Sequence, residues 1–219
     1  MRFFHGSPRY SVDLDLDAPD FSMQALLAGA EEAIQAASKA LQQRKLGLVE
    51  KFSFPKKGEN VLRTSIEITG PENEEIRTQV EFSRRKMKLT QNLIAKAPAA
   101  ESRAPAALPA FLLSTYDRPG LMALKVLALA DRNRNQIRDV YDMALFLPAD
   151  RPESLLKVLA ISGDVLRDAA GWVGGRDTSY KEYLEHIDPY LGGGSMNPQS
   201  WDDLRQSVAR TLSSWADDV

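Results

Sequence analysis

Three aspartates, Asp13, Asp15 and Asp17, alternate with Val12, Leu14 and Leu16. In an extended strand successive side chains project to opposite faces. The acids therefore share one face, and Val12, Leu14 and Leu16 turn toward a core. Carboxylates at i and i+2 lie roughly 6–7 Å apart along a strand, a spacing that lets them hold one hard divalent cation or bridge two. Mg²⁺ is commonly held by one or two carboxylates together with substrate phosphates, and paired-metal phosphate chemistry needs such an acidic ledge. The same pattern also describes the wet face of an amphipathic strand, although acids are poor strand formers and like charges on one face repel. Both readings stand. Lys125 is a lone cation between Leu124 and Val126, with Leu121 and Leu129 a turn away. Its stem can cover apolar surface while the ammonium stays wet, or in a phosphate site the ammonium can act as a compact point charge on a triphosphate. Arg138, Asp139 and Asp142 are helix neighbours at i,i+3 and i,i+4 spacing, which an ordinary ion-pair helix also explains.

These residues need a scaffold, and the composition bounds it. The chain has 219 residues, 43% hydrophobic and 26% charged, the balance of an ordinary globular protein and room for one large domain or two small ones. The net charge of −2 provides no global basic field, so any nucleic-acid contact must come from a local patch. There is no cysteine, which excludes disulfides, thiolate nucleophiles and Cys-based zinc sites and is compatible with a reducing cytosol. No apolar run is long enough to span a membrane, and the N-terminus lacks a signal peptide's apolar segment. The expected location is cytoplasmic. Of the two histidines, His5 precedes the tight-turning pair Gly6-Ser7 and His186 falls in an expected helix. They are too few for a His-based metal cluster.

Taken in order, the acidic strand is followed by a Pro19-Asp20 turn and a helix from about 22 to 44, with Leu26, Ala30, Ile34 and Leu41 at helical spacing. Three extended segments follow as an antiparallel meander: 48–54 ending at Pro55, 61–69, and 76–85. In the third, Glu81 shares a face with Gln79 and Ser83. Arg84, Arg85, Lys86 and Lys88 form a basic run that reads as a solvated face or, beside a phosphate-transfer site, as a contact for an RNA backbone. The Ala/Pro-rich stretch 95–110 reads as a connection, which places a boundary near 110. Beyond it, 111–116 is extended, Asp117-Arg118-Pro119 starts a helix, and the loop 131–135 leads into the helix of Arg138. Ser179 to Glu182 is a capping-box signature. Ser200 with Asp203 begins a last helix striped by Leu204, Val208, Leu212 and Trp215. Gly192–Gly194 read as a loop, since no strand precedes them and no P-loop lysine follows.

Gly6-Ser7 followed by Arg9, Ser11, Asp13 and Asp15 resembles the second core motif of AbiEii-type nucleotidyltransferases. These belong to the polymerase-β-like nucleotidyltransferase superfamily, and several are toxins of toxin–antitoxin systems. Lys125, then Ala128 and Arg132, then Arg138-Asp139-Val140-Tyr141-Asp142 resembles the family's lysine helix followed by Arg-Asp-x-Tyr-Asp. The resemblance covers about residues 3–147. It implies an α+β fold: a nucleotidyltransferase-like mixed sheet of about five strands with packed helices over 1–110, and an all-helical C-terminal half over 111–219 that completes the cleft. It implies Mg²⁺ (or Mn²⁺) on Asp13 and Asp15, with Glu81 as a third carboxylate that binds metal and deprotonates the attacking hydroxyl. Gly6, Ser7, Arg9, Lys125 and Arg138 would contact the NTP, and Asp139 would support catalysis or metal binding. The reaction would be nucleotidyl transfer to an acceptor hydroxyl, in toxin members the 3′ end of tRNA, with a cognate antitoxin as partner.

One departure stands against this. The family's Gly-Gly-Thr-Ala-like turn, which opens a nucleotide-binding helix, is expected ahead of Met1, so the nucleotide pocket is expected to be short at its N-terminal side. The alternative is therefore a degenerate, non-catalytic binding or regulatory protein that keeps the fold. A metal-dependent phosphohydrolase using the same acids is a third reading, disfavoured by the missing histidine cluster.

Overall fold

The computed structural model describes residues 9–10, 13–85, 89–90, 93–96, 112–131, 136–147, 156–157, 159–175, 178–191 and 194–217. The chain divides into two compact units, Ser11–Met87 and a second that joins Met1–Tyr10 to Lys88–Val219.

The first unit begins with strand β1 (Asp13–Asp17), followed by helix α1 (Met23–Gln43) and strands β2 (Leu48–Gly58), β3 (Val61–Thr69) and β4 (Glu75–Ser83). Ser22 caps α1 by accepting from Ala25 N at 3.1 Å, as an N-cap serine does. Leu26, Ala30 and Ile34 form its buried stripe. Leu26 joins Ala18 and Leu62 in a small core against which Met23, Leu27, Phe54 and Phe82 pack. The chain leaves the helix through Lys45 at φ 56 and Gly47 at φ 140, where an added Cβ would lie 2.5 Å from the Thr69 carbonyl oxygen. Only glycine fits that crossing.

The sheet order is β1-β4-β3-β2. β2, β3 and β4 form the expected meander, while β1 lies parallel to β4, so the sheet is mixed. Three details differ from expectation. β2 does not stop at Pro55: the register shifts between Ser53 and Lys56, so the proline is absorbed in an edge-strand irregularity where its missing N–H does no harm. Leu14 is 49% exposed, because β1 is an edge strand and the α1 stripe packs over Leu62 and Phe82 on β3 and β4. Among the described residues the sheet has four strands where about five were expected: the remaining extended segments, β5 (Leu93–Lys96) and β6 (Leu113–Tyr116), pair with each other.

Those two strands belong to the second unit, whose bulk is helical: α2 (Arg118–Ala130), α3 (Ile137–Ala144), α4 (Gly163–Gly174), α5 (Tyr180–His186), a 3₁₀ turn (Asp188–Tyr190) and α6 (Pro198–Asp217). Asp117 caps α2 through Gly120 N at 2.7 Å, with Pro119 in the first turn. The core is large and draws on every helix, including Val126, Val140, Leu166, Tyr183 and Leu212. Tyr183 anchors α5, with its ring 5.0 Å from Trp201, its hydroxyl accepting from Met196 N at 2.8 Å and donating to Asp188 at 3.1 Å. α6 starts two residues before Ser200, because Asn197 caps it by accepting from Ser200 N. Val208, Leu212 and Trp215 of its stripe are buried as expected.

Candidate active site

The helical unit holds a cluster of four charged side chains, Arg9, Lys125, Asp139 and Asp142. Lys125 on α2 reaches α3, its Nζ donating to Asp139 Oδ1 at 2.6 Å and to Asp142 Oδ2 at 2.9 Å. Asp142 also accepts from Arg9, at Oδ1 from Nε over 3.3 Å and at Oδ2 from Nη2 over 2.8 Å. Arg9 Nη1 donates to the Tyr10 carbonyl at 3.0 Å. This segment is held further by an isolated antiparallel bridge from Arg9 to Leu191 and by the Tyr10 amide donating to the Tyr190 carbonyl at 2.7 Å. Asp142 is 0% exposed and Arg9 7%, whereas Lys125 and Asp139 keep 20% and 16%.

A buried charge survives only when it is paired, and here two cations meet two carboxylates. Burial alone would pull the Lys125 ammonium down. The charges of Asp139 and Asp142, with their hydrogen bonds, outweigh it and hold Lys125 above its ordinary range. Burial would likewise raise the Asp142 carboxyl, but Lys125 and Arg9 outweigh it and hold the carboxyl below its usual range. Lys125 is therefore a fixed cation, suited to a phosphate and unsuited to a base. The neighbouring Tyr141 hydroxyl is pushed up by burial and by the Asp142 charge, against the opposing Arg9.

Arg138 is not in this cluster. Its Nε and Nη2 both donate to Gln136 Oε1, at 3.2 and 2.6 Å, so the i,i+4 pair with Asp142 is not made. Asp142 faces inward and is already committed to Arg9 and Lys125. Sequence reasoning missed this role for Asp142, and missed Arg9 as its partner 133 positions away. The available signal was a carboxylate between Tyr141 and Met143, both buried, in a chain with a lone lysine in an apolar helix.

In the sheet unit, register places Asp13 beside Gln79, Asp15 beside Glu81 and Asp17 beside Ser83, with Arg63 across from Glu81 on the other side. Residues paired on adjacent strands project to one face. The three aspartates, Glu81 and Arg63 thus share the face opposite Leu62 and Phe82. Arg63 donates from Nε and Nη2 to the same Glu81 oxygen, Oε2, at 2.8 and 2.6 Å, and so compensates part of the Glu81 charge. Asp13 and Asp15 are exposed.

Their oxygen donors fit a hard divalent cation. The carboxylates of Asp13, Asp15 and Glu81 do not close on one point: among the described residues, the group of three candidate ligand atoms lying within 4.8 Å of one another is Glu182, Glu185 and His186 on α5. In that group the His186 ring is 3.2 Å from Glu182, an ordinary exposed helix pair. Of the basic run, Arg84 donates to the carbonyls of Phe21 and Glu59 at 2.8 and 2.7 Å, a structural use. Gly6, Ser7, His5, Lys86 and Lys88 lie outside the described residues.

Among known families, "Nucleotidyl transferase AbiEii toxin, Type IV TA system" matches residues 1–214. Two solved structures resemble the whole chain. JHP933 from Helicobacter pylori is 16% identical with a TM-score of 0.59, covering 98% of this chain and 81% of its own. MenT4, a nucleotidyltransferase toxin from Mycobacterium tuberculosis H37Rv, is 18% identical with a TM-score of 0.54, covering 98% of this chain and 75% of its own. At these identities the likeness is one of fold. Among curated proteins no match was found.

Proposed function

Since the chain belongs to the AbiEii nucleotidyltransferase toxin family, we propose that it transfers a nucleotidyl group from an NTP to an acceptor hydroxyl, with the 3′ end of an RNA, tRNA included, as the acceptor and an antitoxin as the partner that restrains it. The observation that carries this reading is Lys125, an ammonium held in place by Asp139 and Asp142 and still partly open to solvent.

In the proposed reaction the acceptor oxygen attacks the α-phosphorus, a new P–O bond forms, and the bond to the β-phosphate oxygen breaks to release pyrophosphate. Asp13 and Asp15 are the residues that would hold Mg²⁺, which supplies Lewis-acid stabilisation of the reacting phosphate. Glu81 would take the acceptor proton on Oε1, since Arg63 donates to Oε2. Lys125 carries charge complementary to the triphosphate as negative charge shifts toward the leaving group. Asp139 orients Lys125. Arg9, committed to Asp142, serves as an anchor.

The test is transfer from labelled NTPs to bulk tRNA in the presence of Mg²⁺. Asp15→Ala and Lys125→Ala should each lower the rate by about 10²–10³, the usual cost of deleting one charge-stabilising contact. Transfer unaffected by either change would refute the assignment. The Arg63–Glu81 pair favours a second reading, a non-catalytic binding protein that keeps the fold, because it engages in an ion pair the third carboxylate that the transferase reading needs. No transfer by the wild-type chain, and no NTP-dependent rise in melting temperature, would favour it.

A further inference from the structure

Asp142 cannot touch a substrate, since its side chain has no exposed surface. Its two oxygens nevertheless accept three hydrogen bonds from two cations: Arg9 Nε on Oδ1, and Arg9 Nη2 and Lys125 Nζ on Oδ2. Lys125 has three N–H donors. Two go to Asp139 and Asp142, and the third has no partner among the described residues. Asp139 gives one oxygen to Lys125, and its other oxygen has no partner among the described residues. The open end of the cluster is therefore one N–H of Lys125 and one oxygen of Asp139, both on partly exposed side chains, and the closed end is Asp142.

We propose that Asp142 is a positioning residue for nucleotidyl transfer: a buried carboxylate shared by Lys125 and Arg9 that fixes the Lys125 ammonium from behind and leaves Lys125 and Asp139 as the substrate-facing pair. The proposal rests on the transferase reading given above. Without Asp142, Lys125 is held by a single carboxylate, and a four-carbon stem regains rotamer freedom that must be lost again when phosphate binds. A group that orients a functional side chain in this way typically controls activity by about 10–100-fold.

The experiment compares wild type, Asp142→Asn, and the double variant Arg9→Gln/Asp142→Asn, reading melting temperature, kcat and KM for NTP with bulk tRNA, and the rate at which an amine-reactive acetyl ester modifies Lys125 at one fixed pH, followed by mass spectrometry. The double variant is neutral at both positions, so it keeps the chain folded should the single change, which strands Arg9, unfold it. Melting temperature should fall in Asp142→Asn and recover in the double variant. kcat should stay down about 10–100-fold in both, and Lys125 labelling should be about tenfold faster in both, the equivalent of one lost hydrogen bond to a charged group. Recovery of kcat along with melting temperature in the double variant would overturn the proposal, because Asp142 would then be only the structural partner of Arg9. Unchanged labelling would overturn it as well. If wild type transfers no nucleotide, the transferase reading fails on its own, and the labelling ratio still decides whether Asp142 holds Lys125.

Discussion

Asp142 and Lys125 respond to pH with opposite signs. The Asp142 carboxyl is held below its ordinary value, so its contribution to stability is fully present above that value and drains away as pH falls through the lower folded-state value. The Lys125 ammonium is held above 10.5, so its contribution is present below 10.5 and is lost as pH rises through the higher folded-state value. Stability against urea should therefore have its plateau between these limits and an acid limb that flattens in Asp142→Asn. That variant should also lose about 3–5 kcal/mol at neutral pH, the usual result of stranding buried charges. An acid limb of unchanged slope would mean that other carboxylates dominate it. A second prediction concerns Thr64, which is 1% exposed and whose Oγ1 finds no hydrogen-bond partner among the described residues. An orphaned buried hydroxyl costs free energy that a methyl group of the same shape does not. Thr64→Val should stabilise the chain by about 1 kcal/mol in a denaturant melt, and destabilisation would show that the hydroxyl has an unseen partner.

Among the elements, local signals translated well into structure. The Asp117 cap was legible because its physics is confined to one turn, and Asp117→Ala should cost about 1 kcal/mol. The helix before Gly47, the meander and the stripe of α6 were legible for the same reason: periodicity and turn chemistry are written in adjacent residues. Gly47→Ala should cost about 1–3 kcal/mol, measured as a shift in urea midpoint, because a left-handed backbone is combined with the close Thr69 carbonyl. What was not legible was long-range or set by position in the sheet. Pro55 marks a strand end in sequence, yet at an edge it marks an irregularity. Leu14 alternates like a core residue, but an edge strand does not guarantee a covering helix. Arg9 lies 133 positions from Asp142, and Arg63 lies 18 from Glu81, and no local period announces either pairing. The acidic face could be read from alternation, but the arginine beside Glu81 depended on register.

At the scale of the molecule the two units differ in what they bury. The sheet unit gathers Ala18, Leu26 and Leu62 into a small cluster, while the helical unit packs side chains from all its helices into one core. Because opening free energy follows buried apolar contact, native-state hydrogen exchange should be slowest in α4 and α6, near Val173 and Leu212, and faster in α1. Equal protection in both units would show that the smaller core is not limiting. No helix among the described residues is long and apolar enough to cross a membrane.

The pairing of Arg9 with Asp142 also sets a schedule for synthesis. The sheet unit is complete once residue 87 has been made, but the unit that contains Arg9 is interrupted by it and resumes at Lys88. Arg9 leaves the ribosome early and must wait for a carboxylate encoded 133 positions later, roughly 7–27 s at ordinary rates of elongation. During that interval the guanidinium stays hydrated and the segment Arg9–Tyr10 has neither Asp142 nor Leu191 to dock on. A nascent chain truncated before residue 142 should therefore leave Arg9 open to proteases and to arginine-modifying reagents, and protection should appear only when α3 and the turn ending at Leu191 have emerged.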